Sequence, residues 1–76
     1  MGNKTIDLQR TLFDLTEDYP ELIDIFFEMG LEGVIHPEMR RTGGKIMPVI
    51  KGLKQHGVSL EDAVKFLEGK GFIVSY

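Results

Sequence analysis

From Pro20 onward, proline and glycine recur so often that no helix longer than about three turns fits between them. They stand at Pro20, Gly30, Gly33, Pro37, Gly43, Gly44, Pro48, Gly52, Gly57, Gly69 and Gly71. Helices this short are marginal alone and must bury a face against neighbours. The expected fold is therefore a single small helical domain over residues 1–76, all-α, an orthogonal array of four principal short helices with short extended ends. The hydrophobic fraction of 42% is ample for a core and excludes a disordered chain. With no cysteine, disulfide staples, thiolate metal sites and thiol redox chemistry are excluded. A domain of this size buries only about 60% of its unfolded surface, so a homodimer is expected.

The elements follow from their terminal signals. Thr11 is placed to cap a first helix over about Leu12 to Asp18, with Asp14 completing a short capping box. Pro20 opens a second helix, Pro20 to Met29, that stops at Gly30 in a left-handed cap. Pro37 begins a short helix through Met39, Arg40 and Arg41, which Thr42-Gly43-Gly44 ends. Met47-Pro48 opens the next principal helix, to about His56. Ser59 caps the last, Leu60 to Glu68, whose Leu60, Ala63, Val64 and Leu67 recur at i, i+3, i+4, i+7. The β-prone tail Phe72-Ile73-Val74 is suited to pair with Ile6 to Leu8 or with another subunit's tail.

The second helix is apolar on most of its circumference. Leu22, Ile25, Phe26 and Met29 form one face, and Ile23 and Phe27 sit four apart on another. So small a monomer has little interior to cover both, which makes Ile23, Phe26 and Phe27, with Phe72, Ile73 and Val74, the expected subunit interface.

The net charge of −3 hides a gradient. Met1 to Glu38 hold two bases against nine acids, and Met39 to Tyr76 seven bases against three acids. Between Met39 and His56 there is no acid, but Arg40, Arg41, Lys45, Lys51 and Lys54 are basic. Net acidity argues against a nucleic-acid partner, which ranks as a second alternative. No apolar run reaches signal-peptide or membrane-span length, so the expected compartment is the cytoplasm and no membrane partner is expected.

The most site-like run is Met39 to Lys45. Arg40 and Arg41, a Thr42-Gly43-Gly44 turn and Lys45, with His36 nearby, form a candidate ligand- or anion-binding set through charge-assisted hydrogen bonds and bare N–H groups. It lacks the glycine spacing and Gly-Lys-Ser/Thr ending of a P-loop. The competing reading has Arg40 and Arg41 bridging to the acidic half or to a second subunit. His36 and His56, with Glu32 and Glu38, match no zinc or di-iron spacing, and His56 suits a helix C-terminus instead. Ser59 and Ser75 have no histidine and acid at triad spacing. No catalytic residue, metal or cofactor is therefore expected.

The order Thr11-Leu12-x-x-Leu15, Tyr19-Pro20-Glu21-Leu22, Phe27-x-x-Gly30-Leu31 and Gln55-His56-Gly57-Val58-Ser59-Leu60-Glu61 resembles a small bacterial family. It is the domain of unknown function numbered 1858, related to the hybrid-cluster-protein-associated redox-disulfide domain. The resemblance runs from about Lys4 to Glu68, and His36-Pro37-x-Met39-Arg40-Arg41-Thr42-x-Gly44 is similar to its cysteine-free branch. The redox branch carries Cys-x-x-Cys where this chain has Gly33 and His36, so thiol chemistry does not transfer. What the resemblance implies is company: hemerythrin-like and PAS-containing sensory proteins, and iron–sulfur repair proteins. The expected function is a non-enzymatic interaction or regulatory module, with small-ligand or anion binding at Met39–Lys45 as the alternative.

Overall fold

A computed structural model describes residues 4–76. The chain begins in a strand, β1 (Lys4–Asp7), and passes through helices α1 (Leu12–Asp18) and α2 (Leu22–Glu28). A 3-10 turn (Glu32–Ile35) leads to α3 (Pro37–Arg41), α4 (Gly43–Ile46), α5 (Val49–Gln55) and α6 (Leu60–Gly69). It ends in a second strand, β2 (Phe72–Ser75).

The expected all-α class is corrected by these two strands. β1 and β2 pair in parallel within one chain, Ile6 opposite Val74 and Lys4 opposite Phe72. Parallel neighbours need a long crossover, and the whole helical body serves as one. The alternation of the two strands sends Ile6 and Phe72 into the core and leaves Thr5 and Ile73 outside.

Two local corrections accompany it. α2 starts at Leu22 and not at Pro20, because Pro20 and Glu21 form the turn that enters it. Gly43 and Gly44 do not end the helical run; Thr42 breaks it with φ −108° and ψ −92°, and the glycines begin α4.

The helix ends follow their sequence signals. The Asp14 N–H donates to Thr11 Oγ1 at 3.2 Å, and the Asp62 N–H to Ser59 Oγ at 3.1 Å. Gly30 and Gly57 take φ of 111° and 75°, conformations that a side chain disfavours. Each closes the same double-bonded cap. Leu31 and Gly30 donate to the Phe26 and Phe27 carbonyls, and Val58 and Gly57 to those of Leu53 and Lys54. α5 has no side-chain cap; its first N–H groups, on Val49 and Ile50, donate to the carbonyls of Arg10 and Leu8, each at 2.9 Å.

One core joins these elements: Ile6 and Leu8 from the β1 side, Leu15, Leu22 and Phe26 from α1 and α2, Val49 and Leu53 from α5, Ala63 and Leu67 from α6, and Phe72. Tyr19 meets the Phe72 ring edge to face at 5.7 Å. The one buried polar side chain among the described residues, Thr16, donates to the Leu12 and Phe13 carbonyls and so carries no unmet hydrogen bond.

Candidate functional site

The turn at Gly30 sends the chain from α2 directly into the 3-10 turn, and Pro37 starts α3 from the extended His36. The break at Thr42 then folds α4 back against α1 and α3. Gly44 permits that approach, since a Cβ there would lie 3.2 Å from the Met39 carbonyl oxygen and 3.6 Å from Leu12. Between this arm and α5 lies an apolar cleft of about 200 Å³.

Core residues Leu31, Val34 and Val49 floor the cleft, and Met39 and Met47 wall it. Gly33 and Gly52 leave it open: a Cβ at Gly33 would meet Met39 Cε at 3.7 Å, and one at Gly52 would meet only Met47 Sδ at 4.0 Å. Gln55 and His56 line it from the end of α5, where His56 is the cap residue. Large apolar side chains stand exposed on the same arm, Met39 at 53% on α3 and Ile46 at 82% on α4, with Ile35 exposed at the end of the 3-10 turn.

Several of the residues expected to hold an anion are engaged within the chain. Arg40 turns inward, its Nη1 donating to the Val34 carbonyl at 2.5 Å and tying α3 to the 3-10 turn. Lys45 lies over the Phe13 ring, 4.6 Å from its centre. Thr42 Oγ1 donates back to the Glu38 carbonyl at 2.8 Å. Gly44 is buried, while His36 and Arg41 are exposed. Among the described residues, neither arginine makes an ion pair with the acidic half.

The expected interface set also divides. Phe26 and Phe72 are core residues, 0% and 3% exposed, and cannot reach a second subunit. Ile23 and Val74 are half-buried against the core. Phe27, at 43%, and Ile73, at 48%, face outward. The small monomer therefore covers most of the apolar circumference of α2 by itself, because the 3-10 turn and α1 pack against it.

Ion pairs lie elsewhere. Lys4 pairs with Glu21, Arg10 with Asp18 at 2.6 Å, Lys65 with Glu61 and Lys70 with Glu28. The Asp18 carboxylate holds the Arg10 guanidinium above its ordinary pKa. Among the described residues no group of three or more His, Cys, Asp or Glu is placed to hold a metal, and no helix is long and apolar enough to cross a membrane.

The cleft was not anticipated from the sequence. Its lining comes from Leu12, the 31–34 segment, α3, α4 and α5, and the traces it leaves are glycines at 33, 44 and 52 beside methionines at 39 and 47.

The comparisons with known proteins agree with this architecture. A family model described as a domain of unknown function (DUF1858) matches residues 6–64. A solved structure, the crystal structure of the conserved domain protein from Streptococcus pneumoniae TIGR4, is similar with a TM-score of 0.90 and 30% identity, over 97% of this chain and 92% of that one. No curated protein matches the chain.

Proposed function

Since the chain belongs to the family of the domain of unknown function DUF1858 and carries no cysteine, we propose that it acts through its surface, as a non-enzymatic interaction module that takes an apolar side chain of a protein partner into the glycine-walled cleft. The observation that carries this reading is the apolar cleft lined by exposed Met39, with exposed Ile46 on the adjoining helix α4. Exposed apolar surface around a concavity is what a protein partner covers on binding. At about 200 Å³ the cleft is smaller than the roughly 300 to 1,000 Å³ of small-molecule pockets, and it suits one anchoring side chain. Hemerythrin-like and PAS-containing proteins, the company implied by the family resemblance, are the first partners to try.

The test is a titration of the isotope-labelled protein with a short soluble peptide bearing one Phe among Ser and Glu residues, and with its Phe→Ala form. The expected result is movement of the Gly33, Gly44 and Gly52 amide resonances with the Phe peptide alone. If neither peptide moves them at a protein concentration where the chain is monomeric, the reading fails. Inorganic phosphate is the control: shifts at Arg40, Arg41 and Lys45 with phosphate alone would favour the anion-binding alternative.

A further inference from the structure

We propose that the partner seated in the cleft is the second helix of another copy of this chain, exchanged reciprocally so that α2 of each protomer occupies the cleft of the other. This rests on the interaction reading above and names its occupant.

Charge points to it first. Residues 11–38 hold eight acids and no base, and residues 39–56 hold five bases and no acid. Within one chain these two segments make no ion pair among the described residues: the acids of the first segment that are paired use Lys4, Arg10 and Lys70. Arg41 on α3 and Lys51 on α5, helices that each contribute residues to the cleft, are exposed and have no carboxylate partner among the described residues, while Asp14, Glu17 and Asp24 are exposed and likewise unpaired there. Complementary segments left unsatisfied inside one molecule are satisfied between two.

The anchor is Phe27. It is the one large apolar side chain of α2 that the chain leaves outside, and it projects from a helix whose exposed positions are otherwise acidic. An aromatic ring entering an apolar cleft, from a helix whose other exposed positions are acidic, matches the arrangement of an interface core within a polar rim. Closure follows from chain order. Phe27 and the cleft residue Leu31 are separated only by the Gly30 turn, so a two-fold axis beside that turn generates both contacts at once and closes a dimer instead of propagating a filament.

Sedimentation across a dilution series at low and high salt tests this on the wild type, on Phe27→Asp, on Gly52→Leu, and on a mixture of the two variants. Both substitutions leave the core untouched, and circular dichroism verifies the fold. The wild type is expected to dimerise, with affinity falling about tenfold from low to high salt. Each variant is expected to be monomeric. The mixture is expected to form a heterodimer, because the intact helix of one variant meets the intact cleft of the other. A wild type that stays monomeric overturns the proposal, as does a dimer insensitive to Gly52→Leu. Loss in Phe27→Asp without rescue in the mixture would instead place α2 against α2. If the wild type is monomeric but its cleft still takes the Phe peptide, only the second-copy proposal falls; if neither occurs, the interaction reading falls with it.

Discussion

Adjacent phenylalanines have opposite roles in this chain. Phe26 is enclosed by the core and Phe27 faces solvent, so the same truncation separates packing from association. Phe26→Ala is expected to cost about 3 to 5 kcal/mol, which is most of what a domain this small has, whereas Phe27→Ala is expected to leave the monomer's denaturant midpoint nearly unchanged. Urea titration of both distinguishes them. The glycines divide in the same way. Gly30→Ala places a Cβ on a residue at φ 111° and should lower stability by about 1 to 2 kcal/mol. Gly52→Ala sits in a helix with open space beside it and should raise stability by about 0.5 to 1 kcal/mol, seen as a higher melting temperature.

At the scale of elements, the helices differ in how their ends are satisfied. α1 and α6 rely on hydroxyl caps, so Thr11→Ala and Ser59→Ala should each cost about 1 kcal/mol. α5 relies on the carbonyls of Leu8 and Arg10 and has no cap to remove. Its first turn is thereby fastened to the turn that joins β1 to α1. Hydrogen exchange should therefore show the Val49 and Ile50 amides protected together with β1, and a substitution that frees β1, such as Ile6→Asp, should expose all of them at once. The caps and the Gly30 and Gly57 stops were readable because each depends on residues within a turn of one another. The start of α4 at Gly43 was not: glycine is a poor helix former, and that helix exists because Gly44 lets it approach Met39 and Leu12.

For the whole molecule, the two-stranded sheet ties the ends of the described chain together. Phe72 is enclosed by the core and meets the Tyr19 ring edge to face, so Phe72→Asp should unfold the domain and not merely fray its tail. Near-ultraviolet dichroism and the sharpness of the urea transition would report it. Loss of signal from the tail alone would mean that the helical body stands without its sheet.

The local signals in the sequence were enough for the short-helix character, most helix boundaries, the charge gradient and the family. These depend on the periodicity and terminal chemistry of neighbouring residues, which operate within a few positions along the chain. Tertiary structure alone decided that the tail pairs in parallel with β1, that Phe26 and Phe72 go inward while Phe27 and Ile73 stay out, that Arg40 meets the Val34 carbonyl, and that a cleft opens between α3, α4 and α5. Each of those outcomes is a competition among distant surfaces for the same apolar area and the same backbone groups, and it is settled only when the elements pack.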